Sequence, residues 1–429
     1  MENEMFGNIF KLSWRNIWRN KRRTFLTLVA IAVGVMMLIF AKSYIGGIIN
    51  SAGDSIIKTQ TGHIRVVHKE FLRLERIMPK EYLVTGLSRL KAGLSAIPDV
   101  EMINERVRFN VLLNREDANE PAVAFGIDPG KTDKIMELSQ AIVEGSYFND
   151  GDKGLSLVIG KKLAERMKAG INDELLLVTT DINYSTYALP FKIVGIFETG
   201  YSYLDKHMVY IPLQKAQEML DCPDAAHEVL VFIKEPAKAK AVCKEVEEVI
   251  SKNDPGHAIR VIPWQENDMM QSLPALASIF DKITGIIMLI VALVILNTML
   301  MSIMERYHEI GVIKALGFKD GEVRLMIMIE AFFMGIIGSV VGGILGGTLS
   351  AVTGKTGIDH TRMLGEMVFE KLDAPLPLLN KVLYPDLTLS ILIVSFIFGI
   401  LVSLVAALYP AFKTSKMLPV EALRSELKV

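Results

Sequence analysis

The chain has little cysteine: two residues, Cys222 and Cys243, in 429. That excludes a disulfide framework. One bridge between the two, or a pair of buried thiols, both stay open. A phosphate-binding loop is also missing. Gly354-Lys355-Thr356 matches the end of the nucleotide-binding pattern, but Leu349 stands where its first glycine is required. The seven histidines contain no His-Glu-x-x-His pair, and His63 and His68 are five apart on a strand-like stretch, facing opposite sides. No Gly-x-Ser-x-Gly elbow is present. Net charge is −1, so no basic excess argues for nucleic acid. The expectation is a chain with no catalytic residue, no metal and no cofactor of its own.

Apolar runs are what the sequence has in quantity. A bilayer core about 30 Å thick needs roughly 20 apolar helical residues. The stretches 24–49, 283–304, 325–352 and 387–411 satisfy this. The first follows Lys21-Arg22-Arg23 as a signal peptide would, but it exceeds the usual apolar length and no A-x-A-like site closes it. It is read as a retained anchor. Basic residues crowd the N-terminal segment (Lys11, Arg15, Arg19, Lys21 to Arg23), the segment between spans two and three (Arg306, Lys314, Lys319, Arg324) and the tail (Lys413, Lys416, Arg424, Lys428). The positive-inside rule puts all three in the cytoplasm.

The expected fold class is an integral membrane α-helical protein, with four transmembrane helices and a large mixed α/β extracytoplasmic domain between helices one and two. The parts are a cytoplasmic amphipathic helix (1–23), span one (24–49), the extracytoplasmic domain (50–273), a stalk with span two (274–304), a cytoplasmic segment (305–324), span three (325–352), an outer loop (353–386), span four (387–411) and a cytoplasmic tail (412–429). Strand candidates in the large domain are 62–67, 122–127, 157–159, 174–179, 191–197 and 209–211, with helices over 161–168, 213–220 and 238–251.

Within 305–324, Ile310, Ile313 and Leu316 recur at helical spacing among Glu305, Arg306, Glu309 and Lys314. Arg306 and Glu309 can pair across one turn. Gly317 is a helix stop, and Asp320 suits the next N-cap. In span three, Gly338-x-x-x-Gly342 and Gly343-x-x-x-Gly347 permit close helix approach, within the chain or with a second copy. Glu330 near the start of that span is read as hydrated at the interface, and Lys42 as snorkelling outward.

These residues carry a family resemblance that spans nearly the whole chain. Glu305-Arg306, Glu309-Ile310-Gly311 and Lys314-Ala315-Leu316-Gly317 resemble the E-R-x-x-E-I-G-x-x-[KR]-A-L-G stretch of the ABC transporter permease superfamily typified by MacB and FtsX. Tyr409-Pro410-Ala411 with Pro419 to Arg424 resembles its C-terminal signature. Gly195 to Gly200, then Asp205 and Val209 to Leu213, look most like the lipoprotein-releasing LolC/LolE branch.

The resemblance implies that 305–317 is a coupling helix docking a separate cytoplasmic ATPase dimer, which holds the ATP and Mg. Its residues are Glu305, Arg306, Glu309, Ile310, Gly311, Ile313, Lys314, Ala315, Leu316 and Gly317. MacB carries its ATPase ahead of span one on the same chain; here 23 residues precede span one, so the expectation is a separate ATPase and not the fused architecture. The resemblance further implies a second permease copy, identical or not, in the bacterial inner membrane. A lipoprotein's acyl chains would rest on Val33, Met36, Met37 and Phe40 of span one and Ile287 and Val291 of span two. A periplasmic chaperone would meet the loop 181–190, with Tyr184, Tyr187 and Pro190. That loop is shorter and poorer in proline than the LolC hairpin, which leaves a LolE-like role, another chaperone or another substrate open. Two other expectations are an FtsX-like force-transmitting regulator of cell-wall hydrolases and a MacB-like efflux permease.

Overall fold

A computed structural model describes residues 2–19, 21–115, 118–149, 154–200, 202–253, 256, 258–359 and 382–416, with side chains from Phe10 onward except those of Ser202 and Tyr307. Helix α1 (Glu2–Arg19) precedes α2 (Lys21–Ile56), whose last turn widens into a π-helical turn, Ile57–Thr61. The large domain then contains β1 (Ile64–His68), α3 (Lys69–Arg73), β2 (Val84–Thr85), α4 (Leu87–Ser95), β3 (Val100–Arg115), β4 (Ala118–Ile127), α5 (Pro129–Met136), β5 (Ile142–Gly145), β6 (Ser156–Gly160), α6 (Lys161–Met167), β7 (Glu174–Thr180), β8 (Thr186–Phe197), α7 (Ser202–His207), β9 (Met208–Pro212), α8 (Leu213–Met219), β10 (Ala225–Ala226), β11 (Glu228–Ile233), α9 (Ala239–Asn253) and β12 (Ile259–Pro263). The chain ends in α10 (Asp268–Met304), α11 (Tyr307–Ala315), α12 (Asp320–Thr356) and α13 (Leu389–Ser415).

Two compact units result. One holds residues 1–49, 276–358 and 382–429; the other holds 50–275 and 359–381. Helices α2, α10, α12 and α13 are each long and apolar enough to cross a membrane. Helices α2 and α12 run beyond the apolar stretches at both ends and α10 at its start, because polar residues in water continue a helix as long as nothing stops it. Thus α10 begins at Asp268, ahead of the expected 274, and Pro274 lies within its second turn, where it forgoes one i→i−4 hydrogen bond.

The membrane unit packs through small residues. Gly338, Gly342 and Gly346 of α12 face α2: a Cβ on Gly338 would sit 2.6 Å from Ile31, and one on Gly342 2.5 Å from the Ala32 carbonyl. Gly399 of α13 lies against Ser339 in the same way. The Gly338/Gly342 pair therefore seats a helix of the same chain, as backbone contact at that spacing allows. Gly343 has open space around it. Helix α1 lies on α12: Phe10 and Trp14 each meet the Phe333 ring edge-on at 5.1 Å, and Ser13 Oγ donates to the Met326 carbonyl at 3.2 Å. Its Lys11, Arg15 and Arg19 remain exposed.

In the extracytoplasmic-type domain a ten-stranded mixed sheet runs β12-β1-β11-β3-β4-β9-β6-β8-β5, with β7 pairing β3 and β8. The sixteen-residue β3 serves both halves. Its first part pairs β11 (Glu228 opposite Arg106) and its second pairs β4 (Val107 opposite Gly126). Pairs β4–β9 and β6–β8 are parallel. Leu87, Leu90 and Leu94 of α4 and Val242, Val246 and Ile250 of α9 fill one core at helical spacing. Cys222 and Cys243 are both buried and unbridged, and burial pushes their thiols up to about 12 and about 11, so they pack as small apolar groups.

Candidate functional site

The segment between α10 and α12 folds as one short helix and a break. Helix α11 ends at Ala315, and Gly317 takes φ +102°, a conformation that disfavours side chains, to reverse the chain. The next helix begins at Asp320 itself, and the cap is made one residue earlier. Glu322 accepts from the Lys319 N–H at 2.8 Å, so Asp320 is the first helical residue and not the N-cap.

The outward face of α11 differs from the expected stripe. Ile310 is 1 % exposed and belongs to the membrane unit's own core with Ile303, Val323 and Ile327. The apolar residues left outside are Val312, Ala315 and Leu316, the last 77 % exposed. Helical geometry explains the shift: 310 and 313 point towards the bundle, so 312 and 316, one turn apart, point away. Gly311 is buried, Ile313 half-buried, and Glu305 and Gly317 exposed. Lys314 does not stand at a rim. Its Nζ bonds the Ser415 carbonyl at the end of α13 and lies 2.9 Å from Asp320, a cation at a helix C-terminus.

Glu330 is the larger correction. It is 4 % exposed, not hydrated. Arg23 Nη2 reaches its Oε1 at 3.3 Å and Arg306 Nη1 bonds its Oε2. Arg306 Nε also donates to Glu309 at 3.2 Å, and Arg19 lies 3.7 Å from the same carboxylate. Sequence reading missed this cluster. Its signal was present: an acid inside an apolar helix needs a cation, and Arg23 and Arg306 both flank spans.

Between α2 and α10 lies an apolar groove of about 380 Å³, lined by Val29, Ala30, Val33, Gly34, Met37, Ile287, Ile290, Val291 and Val294. Four of the six residues expected to touch acyl chains meet there: Val33, Met37, Ile287 and Val291. Met36 does not; its backbone lies against Gly346 of α12. Phe40 stacks on Tyr44 at 6.2 Å.

In the large domain the second half of the loop expected over 181–190 is strand. Only residues 181–185 turn, and β8 carries Tyr187 and Pro190 in register with Thr179 and Leu176. Tyr184, 77 % exposed with φ 63°, is the tip of this hairpin. Behind the sheet sits a buried ionic cluster that the sequence did not disclose. Glu228, fully buried, takes Arg65 Nε at 2.8 Å and lies 2.7 Å from Arg106. Glu75 takes Arg65 at 2.7 Å and Arg108 at 2.6 Å. Burial alone would raise Glu228, but Arg106, Arg65 and Arg108 outweigh it and hold the carboxyl far below its usual range. Burial pushes the adjacent His227 imidazole down to about 3, and Arg108 adds to the effect. Among the described residues no His, Cys, Asp or Glu cluster could hold a metal.

Four helices of membrane-spanning length, a short helix between the second and third, and a large α/β domain after the first define a membrane permease architecture. Family models agree. A MacB-like periplasmic core domain matches residues 24–249 and an FtsX-like permease C-terminal domain matches 282–419. The chain belongs to the MacB/FtsX family of ABC transporter permeases. It is 23 % identical to the lipoprotein-releasing system transmembrane protein LolC of Xylella fastidiosa, over 72 % of this chain and 74 % of that one. An uncharacterized ABC transporter permease of Methanocaldococcus jannaschii is 22 % identical over 98 % of both chains. The pyoverdine export ATP-binding/permease protein PvdT of Pseudomonas aeruginosa is 22 % identical over 97 % of this chain, which spans 58 % of PvdT. The periplasmic region of MacB from Actinobacillus actinomycetemcomitans aligns with 49 % of this chain and 92 % of its own at 12 % identity, with a TM-score of 0.38.

Proposed function

We propose that this chain is the permease subunit of an ABC transporter whose ATPase is a separate cytoplasmic dimer, and that it lifts acylated lipoproteins from the membrane for a periplasmic carrier. Both termini and α11 face the cytoplasm, the large domain faces outward, and a second permease copy completes the assembly. ATP and Mg belong to the ATPase. On this reading Val312, Ala315 and Leu316 enter an apolar groove on the ATPase, with Glu305 and Lys319 at the rim.

The groove between α2 and α10 carries the lipoprotein reading. It is lined by apolar residues, its volume is within the range of small-molecule sites, and Met37 offers a wall that adapts to acyl chains. The LolC match supports the same choice. The PvdT match supports a second reading, export of a smaller amphiphile through the same groove, as a MacB-like pump would do.

The test is release of a labelled lipoprotein from spheroplasts of a strain lacking the gene, with the wild-type gene restoring it. Intact release without the gene overturns the lipoprotein reading; intact release with lost efflux of an amphiphile favours the second. Topology has its own check. Cysteine labels at Asp128 and Lys252 should react from outside, and those at Lys319 and Lys416 only after permeabilisation. The opposite pattern overturns the orientation.

A further inference from the structure

Glu330 lies ten residues after the start of α12, about 15 Å along its axis at 1.5 Å per residue. At that depth it joins three elements. Arg23 comes from the first turn of α2, Arg306 stands immediately before α11, and Glu330 belongs to α12. Both arginine side chains are 7 % exposed. Glu309 joins the group through Arg306 and also meets the exposed Arg19, so the two buried arginines, Arg23 and Arg306, are balanced by Glu330 and Glu309. Helix α11 is also attached through Ile310 in the core and through Lys314, which bonds Ser415 and pairs with Asp320.

We propose that Glu330 is a positioning residue that locks α11 to the base of α2 and α12, so that force applied to α11 moves these helices together. The ion pair suits a mechanical joint. Arg306 is planar and forked, and it addresses Glu309 on α11 and Glu330 on α12 with different nitrogens. Loss of either partner leaves a buried charge, so the joint resists partial opening. A forked arginine–carboxylate pair adds geometric direction to the contact. The consequence for transport rests on the permease reading above, whereas the geometry of the joint does not.

The experiment therefore separates the two. Spin labels on Val312 and Phe25, both exposed, report the distance between α11 and α2; labels on Val340 and Leu401 report α12 against α13. Measurements use the full-length protein in nanodiscs without ATPase. Glu330→Gln, which keeps shape and removes charge, should at least double the width of the Val312–Phe25 distribution and leave Val340–Leu401 unchanged. Glu330→Asp should retain most of the sharpness. Arg306→Gln leaves Glu330 paired with Arg23, so it keeps the span helices folded if Glu330→Gln does not, and should broaden the first distance alike. In the presence of its ATPase, Glu330→Gln should hydrolyse ATP at near the wild-type rate with substrate movement per ATP down at least tenfold. A first distance as sharp as wild type in both variants, or broadening of both distances together in Arg306→Gln, overturns the joint. Normal broadening with unchanged transport per ATP leaves the joint in place but overturns its role in coupling.

Discussion

Arg106 of β3 donates to the Thr59 carbonyl through Nη1 and to the Gln60 carbonyl through Nη2, the latter at 3.2 Å. These carbonyls belong to the π-helical turn that ends the first long helix, where backbone acceptors have no partner within the helix. A guanidinium there satisfies two acceptors and complements the negative helix end. Behind it, Glu228 at 2.7 Å balances the charge.

Replacing Arg106 with Met should therefore cost the domain about 3–5 kcal/mol, the usual penalty for removing one member of a buried pair. Arg106→Lys should recover less than half, because an ammonium cannot span both carbonyls. Urea unfolding of the detergent-solubilised protein gives the measurement. A change within about 0.5 kcal/mol for Arg106→Met, the level of an ordinary surface substitution, would show that the turn is held by other contacts.

Acid sensitivity follows from the neighbouring His227. Its folded pKa of about 3 lies below the ordinary 6.5, so the unfolded chain binds the proton first as pH falls. Stability is thus full above about 6.5 and declines towards pH 3, by an amount on the order of 4 kcal/mol. Glu228, also depressed, acts in the same direction below the usual carboxylate range. His227→Asn keeps an acceptor for the Arg108 N–H, now 3.1 Å from Nδ1, and cannot titrate. Its melting temperature should be flatter than wild type between pH 6.5 and 4.5. Parallel curves for the two proteins would rule out His227 as the source.

The parts legible in the sequence were those set by local pattern. Apolar length gave α2, α10, α12 and α13, and the Gly317 stop gave the end of α11. What escaped was set by contacts distant in sequence. Strand β3 reads as polar, with Glu101, Glu105, Arg106 and Arg108 in it, because its charges are neutralised by residues up to 122 positions away, as Arg106 is by Glu228. The same reason hid Glu330, whose partners lie 307 and 24 positions off. The groove was legible in part: the family resemblance pointed to spans one and two, and Val33, Met37, Ile287 and Val291 line it, but Met36 lies against α12 and Phe40 against Tyr44.

The two ends of the expected coupling stripe should behave differently. Ile310→Glu buries a charge in the core of the membrane unit and should destabilise by 3 kcal/mol or more, roughly the cost of an unpaired polar group in an apolar site. Leu316→Glu touches solvent only, so folding and insertion should stay within about 0.5 kcal/mol of wild type. Co-purification with the ATPase should nevertheless fall at least tenfold for Leu316→Glu. Wild-type recovery of the ATPase with that variant would remove Leu316 from the docking surface.

Substrate handling can be tested at Met37, which is 53 % exposed and lines the groove between α2 and α10. Lysine there places a cation against acyl chains, at about 2.5–3.5 kcal/mol near a helix centre on insertion scales. Affinity for the acyl chains should drop roughly a hundredfold by that energy. Impaired insertion would mimic the effect, so a control outside the groove is needed. Leu401 of α13 is 55 % exposed and serves; Leu28 does not, since it packs partly into the core. Leu401→Lys and Met37→Lys should show equal protein levels and equal ATPase rates. Only Met37→Lys should fail to release lipoprotein from spheroplasts into carrier-containing buffer. Equal release by the two variants would remove the groove from the transport path.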